Sequence, residues 1–516
     1  MWYQGIENCL QHYYRNVTPE VDALHINLSM DGLPLHNSGP TQLWPILMQL
    51  HNIPETPIMI VGVFCGASKP TNCEDCLRPL VTELNHLQTA GVDLNGKLFG
   101  LRVRAIIADT PARAFIKGVA YHNAIEGCIK CKCIGQHVRS AHKVIFEGVC
   151  ADPRTDAEFR SGAYTAHCKK STPLLDLSYF DIVEDVIVSD RLHLLDLGIM
   201  KKLLRGWLNG TLAPYPKWGP EEPPQMSDVL TSIELPSEIP RKLRSLKFLA
   251  FWKGSELAIF LHYASIVVLK GRVTSSAYHH FKLLFVAVTL LSSAAYEQYW
   301  VYAGGLLERF VEEFGNVYHR NHLTSNVHNL LHVSAEVCRF GPLPTISTYP
   351  FESKLQRIKG LVRNGWRTLE QVVGRLTELR EIDVARRNQR PKFPVLKFKN
   401  EEAILYVRSN FFLKRGKRNA WFLSNSNTIV KYFNASMVSD SVVVHGYPIL
   451  VKKPQFMYPC SSELINCFIA DLSNLSPTII TTAVSDIKCK LVAIERISEE
   501  GSEVYFTPLL HTLTPD

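Results

Sequence analysis

Residues 23–31 read ALHINLSMD. Leu24, Ile26, Leu28 and Met30 fall on one side and His25, Asn27, Ser29 and Asp31 on the other, which is the period-2 alternation of a β-strand. The strand closes on a carboxylate. Downstream, QLWPILMQL (42–50) and PIMIVGVFC (57–65) read as two further strands. Apolar residues at Leu77, Leu80, Val81, Leu84 and Leu87 predict a helix from about 74 to 88. LRVRAIIAD (101–109) then reads as a buried strand ending in Asp109, and Pro111 is placed to open a helix over PARAFIKGVA. The order is βββαβα, an α/β fold with one Asp at the end of the first strand and another at the end of the fourth.

Farther out the texture changes. From about Asp152 to Leu331 the chain is helical and apolar, with stretches such as LHLLDLGIMKKLLRGWL and HHFKLLFVAVTLLSSAAYEQYW, interrupted by a Pro-rich loop around 215–224. Beyond about Lys392 short β-type runs follow (AILYVRS, NTIVKYFN, SVVVHGY, CKLVAIERI, EVYFTPLL), predicting a small separate β-rich domain. The expected division is 1–150, 151–331, 332–391 and 392–516. With 516 residues, 46% hydrophobic and 20% charged, the chain has the composition of a globular protein of several domains. Disorder, collagen and coiled coil are excluded. The longest apolar run, Leu283 to Tyr296, is too short to span a bilayer, so no membrane association is expected. MWYQGIENCLQHYYRN has no signal-peptide pattern, and 13 unevenly spaced cysteines read as reduced thiols of an intracellular protein. No P-loop or dinucleotide fingerprint is present.

Acids at the ends of neighbouring strands suit two-metal phosphoryl transfer. That chemistry needs carboxylates from different parts of a chain to converge on two divalent cations about 3.5–4 Å apart. A single strand-end Asp is more often a turn residue, so Asp31 and Asp109 require a third acid. Glu352 is the candidate. Ser347 or Thr348 can cap a helix with Pro350 in its first turn and an apolar stripe at Leu355, Ile358 and Val362. Glu352 would then share the opposite face with Gln356, Lys359 and Arg363.

The blocks MDGLPLHNSGPTQLWPIL, IIADTPARAFIKG, SDRLHLLDLGIMKKLL and HNLLHVSAEVCRFGPLPTISTYPFESKLQRIKGLVRNG, spread over roughly residues 25–375, resemble the successive blocks of eukaryotic cut-and-paste DDE transposases. The likeness is to the CACTA-like kind (CACTA/Mirage/Chapaev), related to the recombination-activating recombinase. It implies an RNase H-like catalytic core interrupted by a large helical insertion, with Asp31, Asp109 and Glu352 holding two magnesium or manganese ions. The expected reaction is DNA cleavage and strand transfer at transposon ends. The 243 residues from Asp109 to Glu352 leave room for the insertion. Transposon-end and target DNA as partners, a homodimer or higher oligomer, and a nuclear location are expected with it.

Two thiols at Cys128 and Cys131 form a knuckle that can chelate zinc, and His328 and His332 project from one helical face to complete a tetrahedral set. Relatives carry a CxxC about 19 residues past the second acid and a paired His about 20 before the third, and the offsets here are 19 and 20. A structural zinc stapling the insertion to the core is the resulting expectation. Cys133, His319 and His322 are substitute ligands. A metalloprotease is excluded because HNLLH has Asn329 where HExxH has its general base. Cys73 and Cys76 have no His partner and read as incidental. Asp190-Arg191-Leu192-His193 resembles the [C/D]xxH motif of related insertions, in which His193 would donate a hydrogen bond or positive charge to phosphate oxygens. It reads equally as a helix N-cap.

The net charge of +8 is local. Residues 353–399 carry 13 Lys and Arg against 4 acids, a net +9 beside Glu352. Such a patch suits salt-sensitive phosphate binding, with Lys354, Lys359, Arg363 and Arg367 as its candidate DNA contacts. The alternative function is a domesticated or truncated transposon-derived scaffold that binds DNA without chemistry. Only 30 residues precede Asp31, where relatives place a DNA-end recognition domain.

Overall fold

The computed structural model describes residues 1–35, 41–386, 392–439, 441–498 and 501–513. Arg387 and Arg390 of the basic segment lie outside these. The chain packs as two units, Met1–Leu195 with Leu323–Arg390, and Asp196–His322 with Pro391–Asp516.

In the first unit seven strands form a mixed sheet: β1 (Trp2–Tyr3), β2 (Ala23–Met30), β3 (Leu33–Pro34), β4 (Gln42–Leu50), β5 (Met59–Gly66), β6 (Val92–Leu94) and β7 (Lys97–Ile106). The order is β1-β5-β4-β2-β7-β6, with β3 beside β4. β2, β4 and β5 make an antiparallel meander, whereas β7 lies parallel to β2 with Leu28 opposite Ile106. Parallel neighbours end at the same edge. The segments that leave β2 and β7, carrying Asp31 and Asp109, therefore start side by side. Asp185–Ile187 runs parallel to the end of β7 through Ile106 N–H to the Asp185 carbonyl (2.7 Å) and Ile187 N–H to the Ile106 carbonyl (3.0 Å). It delivers residue 190 to that edge as well.

Helices α1 (Ile6–Tyr14), α2 (Glu74–Ala90), α3 (Thr110–Lys117), α4 (Tyr349–Leu361) and α5 (Thr368–Arg386) belong to this unit. Ile6 and Leu10 of α1 and the five predicted apolar positions of α2 are buried in one core with Leu24, Ile26 and Leu28 of β2. Fully burying each such side chain stabilises by roughly 1.5–3 kcal/mol. The alternation in β2 predicts a polar face, yet Asn27 and Ser29 are buried too. Asn27 is satisfied there: its amide donates to Gln49 Oε1 (3.3 Å) and its oxygen accepts from Arg104 (2.9 Å). Arg104 also reaches the carbonyl (3.3 Å) and hydroxyl (3.2 Å) of Thr345, just ahead of α4.

The second unit joins the helical stretch to the C-terminal β-rich region, two regions the sequence places in separate domains. Helices Ser275–Leu290 and Trp300–Tyr318 bury Phe281, Phe285, Phe310 and Phe314. No helix of the described residues is long and apolar enough to cross a membrane. The β-rich region forms a three-stranded and an eight-stranded sheet. Lys490, fully buried in the larger sheet, meets both oxygens of Glu238 (2.7 Å each), the Phe412 carbonyl (2.8 Å) and Asn419 Oδ1 (2.9 Å). That cluster ties the helical stretch to the sheet, and composition along the chain carries no trace of it.

Candidate functional site: a carboxylate cluster and a Cys/His centre

Asp31 follows β2 directly, and its Oδ1 accepts from Gly32 N–H (2.6 Å). A Cβ on Gly32 would stand 3.0 Å from the Trp44 ring, so glycine lets the chain turn tightly there. Asp109 is the N-cap of α3, with Oδ1 accepting from Ala112 N–H (2.7 Å). Both Asp residues thus do local turn work. Glu352 lies in the first turn of α4. Burial, then repulsion from Asp109 and Glu352, pushes the Asp31 carboxyl up to about 7. Glu352 is also raised by burial and by Asp109, against the opposing pull of His193. Crowded, half-buried carboxylates lacking enough positive charge are a site that a divalent cation would relieve.

His193 is the nearby basic group, its Nε2 3.9 Å from Glu352 Oε1. It lies in a helix of wide π-type turns, Arg191–Met200. Asp190, fully buried, sets its orientation. His193 Nδ1–H donates to Asp190 Oδ2 (2.5 Å), and the N–H groups of Leu192 and His193 donate to the same carboxylate (3.2 Å each). Despite desolvation, the Asp190 contact, Asp109 and Glu352 raise the His193 pKa. Asp190 also accepts from Thr348 N–H (2.8 Å) and Oγ1–H (2.7 Å). Thr348 therefore does not cap α4 with its own side chain. Its hydroxyl serves Asp190, and one carboxylate fixes both the His193 ring and the start of the helix bearing Glu352.

The basic residues divide. Lys359 Nζ donates to the Pro34 carbonyl (2.9 Å). Arg363 lies beyond the end of α4, not on its Glu352 face, because the helix stops at Leu361. It is exposed in a loop with Arg367. Lys354 is turned to the other side of α4, in a small cavity with Cys9, His12, Arg380 and Asp383, and burial lowers its pKa. It is not placed as a phosphate contact beside Glu352.

The second centre is tighter. Cys128, Cys131, His328 and His332 are, among the described residues, the group of such donors whose ligand atoms all lie within 4.8 Å. Cys128 Sγ is 3.3 Å from His332 Nε2, Cys131 Sγ 3.3 Å from His328 Nε2, and the sulfurs are 3.5 Å apart. Bond lengths of about 2.3 Å to sulfur and 2.0–2.1 Å to nitrogen in a tetrahedron call for ligand separations of roughly 3.4–3.8 Å. The set can hold a metal ion. Hydrogen bonds, led by that from Cys131, hold the Cys128 thiol well below its usual range against burial. His328 closes a short α-helix and His332 a 3-10 turn, so the pair does not sit on one regular helix. Cys133, His319 and His322 are outside the group; His322 Nε2 meets the Ala213 carbonyl (2.8 Å). Cys73 Sγ–H donates to the Ser171 carbonyl.

Between the centres lies an ion pair that the sequence does not announce. Lys130, inside the CxxC knuckle, meets Glu336 Oε1 (2.7 Å), with both side chains buried. Lys130 also donates to the carbonyls of Val183 (2.8 Å) and Glu184 (3.0 Å), while Glu336 Oε2 accepts from Ser189 N–H (2.7 Å). The pair links the knuckle, the Val333–Phe340 helix and the segment leading to Asp190. Removing one partner strands a buried charge, so Lys130→Met should destabilise by about 3–5 kcal/mol in urea unfolding. A double variant with Glu336→Leu should recover part of that loss, the remainder being the buried N–H groups of Val188 and Ser189 left without their acceptor.

A domain of unknown function (DUF8592) matches residues 388–509, within the C-terminal β-rich part. No curated protein matches the chain.

Proposed function

We propose that the protein is a DDE-type DNA transposase, or a nuclease derived from one, with an RNase H-like core. The observation that carries the proposal is the meeting of Asp31, Asp109, Glu352 and His193 at one sheet edge from four distant segments. The strand arrangement supports the core assignment: an antiparallel meander whose first strand gains a parallel neighbour, each of the two followed by an acid.

Hard oxygen donors suit magnesium or manganese, which would polarise the scissile phosphate, activate the attacking water or 3′-hydroxyl and neutralise the leaving oxygen. Asp31, whose carboxyl burial and its acidic neighbours push up to about 7, would give up its proton as it takes up a cation. Asp109 keeps one oxygen on Ala112 N–H and has the other to offer. His193, with Nδ1–H committed to Asp190, presents Nε2 towards Glu352 and would donate it to phosphate oxygens. The Cys/His set would hold a structural zinc, closed to substrate by its four protein ligands. Joining two DNA ends implies a dimer or higher oligomer, and the substrate implies the nucleus.

One observation favours a second reading, a transposon-derived DNA-binding scaffold without chemistry. The three carboxylates do not close into a group as tight as the Cys/His set. Salt-dependent DNA binding measured beside magnesium- or manganese-dependent nicking separates the two. Binding with nicking of intact or pre-nicked duplex is expected of the enzyme. Binding without nicking would make it the scaffold.

A further inference from the structure

The loop between α4 and α5 contains Val362-Arg363-Asn364-Gly365-Trp366-Arg367. Trp366 is 75% exposed. An indole normally contributes a large buried area, so leaving one in water calls for a reason.

The loop is built to hold it there. Gln371 of α5 accepts from Arg363 N–H (3.0 Å) and donates to the carbonyl (3.2 Å) and side-chain oxygen (2.8 Å) of Asn364 and to the Trp366 carbonyl. Asn364 Oδ1 accepts from Trp366 N–H (3.1 Å). Arg375 anchors the Leu361 carbonyl at the end of α4. Arg367 has φ +46°, a left-handed conformation that a non-glycine residue keeps only where its surroundings impose it.

The charge within the loop itself has one sign. Arg363 and Arg367 flank Trp366 in the sequence of the loop, both are exposed, and among the described residues neither guanidinium has an ion-pair partner. No acid occurs between Glu352 and Glu370. Leu361, where α4 ends, is nine residues past Glu352, roughly 14 Å along the axis at about 1.5 Å per residue. A strand leaving the carboxylate cluster along α4 would reach the spur after about four nucleotides, at roughly 3.4 Å each.

The geometry points to Trp366 as a base-stacking residue: its indole packs on an unpaired DNA base while Arg363 and Arg367 hold the phosphates on either side. An unpaired base is required because the indole needs a free base face. This inference rests on the DNA-cleaving reading and adds the form of DNA recognised beside that site.

The test is equilibrium binding of the full chain, without added divalent cation, to two DNAs across a range of salt. One is a duplex with a single-stranded flank, and the other is the same duplex closed at both ends by hairpin loops too short to splay. Trp366→Ala should weaken binding to the flanked DNA roughly 5- to 150-fold. Its salt slope should stay unchanged, because an indole releases no counterion. Trp366→Tyr should retain most of the affinity, and the closed duplex should bind all three proteins alike. Arg363→Ala should instead reduce the slope by about 0.7. Wild-type affinity of Trp366→Ala for the flanked DNA would overturn the inference while leaving the DNA reading intact, and the spur would then belong to a protein partner. Equal losses on both DNAs would also overturn it. A wild type without salt-dependent DNA binding would overturn both.

Discussion

Asp31→Asn is expected to lose metal-dependent DNA cleavage and yet to melt higher than the wild type without metal. The loss should be at least the roughly 10²- to 10³-fold that follows removal of a single electrostatic contact to a transition state. The gain in stability comes from the same crowding that makes the site. The Asp31 carboxyl sits at about 7 in the fold, against about 3.9 in an unfolded chain. Between those values the folded state binds more protons, so this group's contribution to stability falls as pH rises from about 4 to 7 and stays low above that. Asn cannot ionise and escapes the penalty. At pH 8 the metal-free variant should therefore be more stable by up to about 4 kcal/mol, less whatever solvent screening removes. Manganese should raise the melting temperature of the wild type at pH 8 and do much less for the variant. A variant that cleaves normally, or is destabilised, would show that Asp31 is an ordinary turn residue.

Cys128→Ser with Cys131→Ser should remove one bound zinc per chain and cost more stability than any single core substitution. Structural zinc in small peptides is worth about 10–16 kcal/mol, comparable to the whole margin of a typical domain, about 5–15 kcal/mol. The paired ligands are 197 and 204 residues apart in the sequence, so the ion would close a very long loop. Backbone contacts support the knuckle, with Arg154 Nε donating to the Cys128 carbonyl (3.0 Å) and Lys132 N–H to the Asp152 carbonyl (2.8 Å). Beyond His332 the chain enters the helix bearing Glu336, which holds the backbone just before Asp190. Loss of the ion should therefore reach His193 and the α4 start. Elemental analysis and urea unfolding check it, and a wild type that is folded and free of zinc would defeat it.

What could be read from the chain alone was whatever is local. Alternation placed β2, and the 3.6-residue stripe placed α2 with its five leucine and valine positions buried. The CxxC and paired-His spacings are local as well, and it took the resemblance to known transposases to join them across the chain; the four residues do gather in one group of donors. Where polar groups are matched across long separations, the pattern misleads or is silent. Asn27 looks like a solvent-facing residue but is buried against Gln49 and Arg104. Thr348 has the chemistry of an N-cap, and the buried Asp190 claims its hydroxyl. Arg363 follows the helical spacing of Glu352 and Lys359, but α4 has ended two residues earlier. Lys130 with Glu336 and Lys490 with Glu238 leave no periodic trace, since each pair joins segments that meet only in the folded chain.

The most direct test is cleavage of intact and pre-nicked duplex DNA by the wild type, Asp31→Asn and Glu352→Gln, with magnesium, with manganese and with neither. Strand cleavage by the wild type that requires a divalent cation and leaves 3′-hydroxyl ends, absent in both folded variants, is the predicted result. No cleavage by the wild type under any condition, or equal cleavage by the variants, would contradict it.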